Sequence, residues 1–179
     1  MSLKHAILGF LAEQPRTGYD LKGCFDTSVS YFWHADQAQI YRTLDTLTED
    51  GFVQFQVEIQ DDRPNRKIYT ITPTGREELR RWLQTLQPEQ IRREPFLVQV
   101  FFGDPLSNDE LIHFMEQKIK AHEAQLAEYN GYDFPPLTAP DLPRNARLQL
   151  LTLDFGKRYE QLHIDWLTMC IAQLRGLED

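Results

Sequence analysis

Long apolar runs are missing from this chain. None of its 179 residues belongs to a stretch of 18 or more consecutive apolar side chains, so no segment can span a bilayer as a helix. Cysteine is scarce: Cys24 and Cys170 lie far apart and form no ligand-spaced cluster, which fits a reducing cytoplasm. No nucleophile–base pair, phosphate loop or metal-ligand cluster is present, so neither an enzyme nor a cofactor is expected. The opening MSLKHAILGFLAEQ has no small-residue cleavage site and reads as a helix of the mature protein. Positive charge is in deficit as well. Lys and Arg number 19 against 27 Asp and Glu, a net charge of -8, which at first counts against a polyanionic partner.

What is present points the other way. Hydrophobic content of 41% and charged content of 26% suit a globular protein. Split at Pro88, residues 1–87 are close to neutral, with 10 basic and 12 acidic side chains, while the remainder holds 9 and 15. The acid is concentrated in the second half. DNA binding depends on local charge, so the global value predicts weak non-specific binding and does not exclude a specific site.

Leu3, Ile7, Leu8 and Leu11 fall at helical spacing after Ser2. Pro15–Gly18 ends that helix, and Thr17 with Asp20 has capping-box spacing for a second one carrying Tyr19, Leu21 and Phe25. Asp36 and Gln39 repeat the arrangement, and Ile40, Leu44 and Leu47 give a third helix its buried stripe, with Gly51 as its stop. Period 2 then takes over. Val53, Phe55, Val57 and Ile59 alternate with polar residues, predicting a half-buried strand. A turn over 60–66 and a second strand over 67–72 complete a hairpin. Thr72 caps a fourth helix with Pro73 in its first turn and Leu79, Trp82, Leu83 and Leu86 on its apolar face. Three helices, a hairpin and a helix are the element order of a winged helix-turn-helix.

After Pro88 the block Phe96–Phe102, bounded by Pro95 and Gly103, reads as a short buried helix. Ser107 and Glu110 cap a helix reaching about Asn130, and a proline-rich loop follows over 131–143. The last helix, about 144–175, spaces Leu148, Leu151, Phe155, Tyr159, Leu162, Trp166 and Met169 three and four apart, as in a coiled coil. At about 1.5 Å per residue it is roughly 45–50 Å long. A single small chain cannot cover such a stripe, so a second copy is its natural cover. The fold class expected is mainly α with a small β-hairpin. A winged helix-turn-helix DNA-binding domain is expected over 1–87 and a helical dimerisation domain over 88–179.

Three stretches carry a family resemblance: ILGFLAEQPRTGYDLK (7–22), FWHADQAQIYRTLDTLTEDGFV (32–53) and DDRPNRKIYTITPTGREELRRWL (61–83). They resemble the PadR-like transcriptional regulators. The long two-helix second half resembles, by layout, the subgroup with a virulence-activator-alpha-like dimerisation domain. The resemblance implies a bacterial, homodimeric winged-helix protein that binds an imperfect palindrome in double-stranded DNA, usually as a repressor. It also implies release by small aromatic effectors, for which the block around Phe96, Phe101 and Phe102 offers a lining if it is not simply core.

In a helix-turn-helix the second helix enters the major groove. With Ile40, Leu44 and Leu47 inward, Ala38, Arg42, Asp45 and Glu49 face outward, flanked by Gln39 and Thr43. Gln39 either reads adenine or serves as cap partner of Asp36, and Arg42 reaches guanine or a phosphate. Tyr41 bonds a phosphate or packs. Arg63, Arg66 and Lys67 crowd the wing, with Tyr69 beyond them on the same face, and Arg16 and Lys22 flank the start of the second helix. Asp45 is out of place on such a surface. It repels phosphate, selects cytosine N4, or points away from DNA. The acidic face also supports an alternative: a winged-helix dimer that acts on proteins with weak or no DNA binding. Trp33 reads as packing or as part of an effector pocket. His113 and His122 are nine apart with no third ligand, so no metal site is expected.

Overall fold

The computed structural model describes residues 2–30, 32–60, 65–88 and 93–177. The chain divides into two compact units, Met1–Glu89 and Gln90–Asp179.

The first unit begins with α1 (Ser2–Glu13), whose Ile7, Leu8 and Leu11 are buried. A two-residue strand, β1 (Arg16–Thr17), leads into α2 (Gly18–Cys24). The capping box forms as its spacing predicts: the Thr17 hydroxyl accepts from the Asp20 amide, and the Asp20 carboxylate accepts from the Thr17 amide. α2 then widens into a π-helical turn at Phe25–Val29. There the hydroxyls of Thr27 and Ser28 donate back to the Gly23 and Cys24 carbonyls at 2.9 and 2.6 Å. Such back-bonding competes with the regular ladder and favours the wider turn.

Helix α3 (Gln37–Glu49) starts on the Asp36–Gln39 capping box, and its Ile40, Leu44 and Leu47 are fully buried. It stops before Gly51, whose φ of 73° is the left-handed conformation that glycine adopts without a Cβ clash. Strands β2 (Val53–Glu58) and β3 (Arg66–Ile71) follow, then α4 (Pro73–Gln84) with Thr72 as its cap. The sheet is antiparallel and three-stranded, in the order β1-β3-β2. The expected hairpin thus gains a third strand, because Arg16 and Thr17 pair with Tyr69 and Ile68.

Two expectations about burial in this unit are overturned. The β2 alternation is correct, yet only Val53 is buried; Phe55, Val57 and Ile59 are exposed, Ile59 at 79%. The register explains why. Val53 lies opposite Ile71 over the helical core, whereas Val57 lies opposite Lys67, farther out along the wing. On α4, Leu83 and Leu86 are exposed, Leu86 at 96%, and the inward line is Gly75 and Glu78, with Leu79 and Trp82 partly covered.

Glu78 is a buried carboxylate that ties α4 to α1. Its Oε1 accepts from Lys4 Nζ at 3.1 Å and contacts His5 Nε2 at 3.2 Å, and Arg81 bonds its other oxygen. The His5 ring lies flat on Trp82, with centroids 4.5 Å apart and 8° between planes. The Lys4 hydrogen bond, supported by His5 and by the charges of Lys4 and Arg81, outweighs burial and brings the Glu78 carboxyl down from 4.5 to about 2. A depressed carboxyl stabilises the fold above its ordinary value and loses that contribution as pH falls towards its folded value. The window is therefore pH 4.5 to about 2. Glu78→Gln is expected to lower unfolding stability at pH 7 by about 2 kcal/mol. It is also expected to flatten the loss of stability in that acid window, measured by urea unfolding at a series of pH values. An unchanged acid limb would count against this role.

The second unit holds α5 (Pro95–Phe101), α6 (Asn108–Asn130) and α7 (Arg144–Leu174). The Ser107–Glu110 capping box opens α6 as predicted, and Gly131 closes it in the right-handed region. The block 96–102 is helical, but only Phe96 is buried; Leu97, Val98, Phe101 and Phe102 are exposed. Phe96 packs with Met115, Leu167 and Ile171. α6 and α7 pair antiparallel, and α7 turns Leu153, Gly156, Glu160, Leu167 and Ile171 inward. Leu148, Leu151, Phe155, Leu162 and Met169 stay exposed, Phe155 at 66%, whereas Trp166 leans on Phe96 and Tyr159 on His163. No helix of the described residues is long and apolar enough to cross a membrane.

Candidate nucleic-acid interface

α2, α3 and the wing enclose a cleft of about 540 Å³. Thr17, Gly18, Tyr19 and Asp20 form one wall, Tyr41 and Asp45 of α3 another, and Asn65, Arg66, Lys67 and Tyr69 of the wing the third. The walls meet closely at Gly18, where a Cβ would sit 2.6 Å from Cε1 of Tyr41. No larger residue fits there without moving that ring.

Tyr69 is the innermost polar group of the cleft. Its side chain is 2% exposed, and it borders the cleft beside Lys67 and Tyr41. Burial pushes the phenol up, and the neighbouring Asp45 and Tyr41 push it the same way, so it stays a protonated donor.

The cations named from the sequence fare unequally. Arg42 is exposed on α3, and its side chain makes no hydrogen bond or ion pair among the described residues. Lys67 sits over the Phe55 ring at 4.3 Å from its centroid. Arg66 is committed: its Nε and Nη2 donate to the Glu58 carboxylate at 2.9 and 3.0 Å, a two-point fork across the hairpin. Lys22 pairs with Asp26, and Arg16 bonds Glu13 and the Phe10 carbonyl. Gln39 accepts from the Asp36 amide at 3.2 Å in its capping role, and Thr43 donates to the Gln39 carbonyl. Arg63 lies outside the described residues.

The cleft also brings in Thr17, Gly18, Tyr19, Asp20 and Asn65, which were not singled out from the sequence as interface residues. Asp45 turns towards the wing and lines the cleft. Asp20 is already engaged by Thr17, whose amide and hydroxyl hold its carboxyl below the usual range.

Of the proposed effector lining, Phe96 belongs to the core. Phe102 borders a separate apolar cleft with Val98, Leu106, Leu111 and Phe114. Trp33 packs against the core of the first unit. Burial raises both cysteine thiols, so neither is set up as a reactive thiolate.

Comparison with known proteins agrees with this architecture. Residues 7–81 match the model of the transcriptional regulator PadR-like family, and residues 92–175 match that of the virulence activator alpha C-terminal region. The negative transcriptional regulator PadR of Bacillus subtilis is 30% identical over 181 residues, covering 96% of this chain and 97% of that protein. A crystal structure of Bacillus subtilis PadR in complex with operator DNA superposes with a TM-score of 0.86 at 29% identity, covering 97% of this chain and 99% of the other. One in complex with p-coumaric acid gives 0.81 at 28% identity, covering 98% and 99%. The chain therefore belongs to the PadR-like family of transcriptional regulators.

Proposed function

We propose that two copies of this chain bind a palindromic operator as a repressor, with α3 in the major groove and the wing beside it. The observation that carries this reading is the cleft between α3 and the wing, lined by Tyr41, Lys67 and Tyr69, with Arg42 exposed on α3 and, like Lys67, paired with no carboxylate among the described residues. A helix in the major groove with its wing alongside sets the intervening phosphate strand against such a cleft. Tyr69 and Tyr41 then donate to phosphate oxygens, and Lys67 supplies charge. The exposed outer stripe of α7 (Leu148, Leu151, Phe155, Leu162, Met169) supports self-association, because apolar surface of that extent is better covered by a second copy. Repression and release by a small aromatic molecule follow the Bacillus subtilis relative, described as a negative regulator and crystallised with p-coumaric acid. A thermal-shift screen with phenolic acids and planar cationic drugs tests the effector; stabilisation by none of them would remove that part.

An electrophoretic shift with the DNA upstream of the chain's own coding region, at about 50 mM salt, tests the central claim. A specific complex is expected. No specific shift, together with no effect of alanine at Arg42 and Arg66, would refute it. Two acidic residues should act as brakes on the same assay. Asp45→Asn removes a carboxylate facing the phosphate strand, and Glu58→Gln releases Arg66. Each is expected to tighten binding roughly 3- to 10-fold, and Glu58→Gln to steepen the salt dependence by about 1 in log–log slope.

A second reading has its own support. With Asp20 and Asp45 in the cleft, Arg66 neutralised, and Phe55, Val57 and Ile59 exposed on the wing, the same surface suits a protein partner. In that case Asp45→Asn leaves DNA binding absent.

A further inference from the structure

We infer that the outer half of the wing is an apolar rail for a DNA strand, on which Phe55, Val57 and Ile59 lie against deoxyribose while Lys67 meets a neighbouring phosphate. The inference rests on the DNA reading above and extends it from charge to apolar contact. β2 is an edge strand of the sheet. Residues paired across antiparallel strands share a face, so Val53 with Ile71, Phe55 with Tyr69, and Val57 with Lys67 form one continuous surface. Its inner end is core. The Phe55 ring packs on Tyr69 at 5.6 Å between centroids, and beyond that contact the cover runs out. Exposure climbs from 38% at Phe55 to 53% at Val57 and 79% at Ile59. The alternation with Gln54, Gln56 and Glu58 nevertheless continues to the end of the strand. Folding does not require apolar side chains at 57 and 59, and an apolar row on an edge strand invites unwanted association. A contact made by this row accounts for it.

The occupant follows from what stands beside the row. The same face runs into the cleft assigned to DNA, because Lys67 and Tyr69 belong to both. Lys67 holds its ammonium 4.3 Å from the centre of the Phe55 ring, a cation seated on an apolar platform. Glu58, the one acid of β2, alternates to the opposite face and is tied to Arg66 at 2.9 Å. A cation set among apolar side chains with no acid beside it suits a partner that alternates anion and apolar surface. A DNA strand is such a partner, since deoxyribose separates its phosphates. Affinity from the wing then has two parts. Lys67 supplies one that salt weakens, and the row supplies one that salt leaves unchanged.

The test uses the full chain as wild type, as Val57→Thr with Ile59→Thr, and as Val57→Ile with Ile59→Val. Threonine keeps the branched shape that suits a strand but replaces methyl with hydroxyl, whereas the exchange of Val and Ile keeps the apolar surface. The probe is the DNA upstream of the chain's own coding region. Binding is measured from about 50 to 200 mM salt and the complexes are mapped by hydroxyl-radical cleavage, which attacks exposed deoxyribose. The threonine pair is expected to bind about 10-fold more weakly at every salt concentration, with an unchanged log–log slope and the outermost sugars of the footprint uncovered. The Val and Ile exchange is expected to match the wild type. Unfolding midpoints of all three should agree, because both positions are exposed. A threonine pair with wild-type affinity and footprint overturns the rail and returns this face to a protein partner, while the DNA reading stands. A loss that disappears at high salt also overturns it, since the row then serves only to position Lys67. A wild type that forms no specific complex removes the DNA reading and the rail together.

Discussion

A chain carrying glutamate at both Phe155 and Leu162 is expected to sediment as a monomer at micromolar concentration, and to bind operator DNA at least 100-fold more weakly than the wild type. Both side chains project from the outer face of α7, away from the line that packs on α6. Burying a Phe or Leu fully is worth about 1.5–3 kcal/mol, and a two-fold interface counts each substitution twice. Four carboxylates introduced there remove roughly 6 kcal/mol or more of burial and add charge with no partner. The loss at the operator follows from valency. A dimer on two half-sites gains about 10²–10⁴ over a single half-site through effective concentration, which a monomer forfeits. Because both positions are already exposed, the helical circular dichroism and the unfolding midpoint of the isolated chain should barely move. A dimer that survives the double substitution would mean that another face of the second unit is used, with the exposed residues of α5 next in line.

Much of this architecture is legible in the sequence because it is written in local chemistry. The three capping boxes at Thr17, Asp36 and Ser107 all form, since each needs only two side chains three residues apart. β1 is not legible. Two residues have no period, and Arg16–Thr17 becomes a strand only because β3 lies beside it. Alternation in β2 correctly sorts its two faces, but it carries no information on how far the core extends beneath them, so Phe55 and Val57 turn out exposed. The α7 stripe is read correctly as apolar and only partly covered. Its in-chain line is hidden, because Gly156 and Glu160 are two of the residues that pack on α6 and neither looks like core. At the candidate site, position was easier to read than availability. The sequence places Arg66 on the wing, but the fork to Glu58 depends on the strand register. Tyr69, the weaker candidate from spacing alone, gains weight from a burial that only the fold creates.

Arg42 and Lys67 are the remaining uncommitted pair, and their joint replacement by alanine is expected to weaken specific binding about 100-fold. The two should fail differently. Arg42 projects from the exposed face of α3, the element that enters the major groove, so its loss should cost about 1–3 kcal/mol and relax preference at one base pair. Lys67 stands on the wing over Phe55 and contributes charge without a base edge. Its loss should weaken all sequences alike and lower the salt slope by about 1. Arg66→Ala offers the internal comparison. Its guanidinium already has a carboxylate partner at hydrogen-bonding distance, so removing it from the wild type should cost less than removing Lys67, and more once Glu58→Gln has freed it. Titrations of operator and scrambled DNA at several salt concentrations separate these cases. If Lys67→Ala leaves the salt slope unchanged while Arg66→Ala lowers it, the ion pair to Glu58 opens on binding and Arg66 is the wing's working cation.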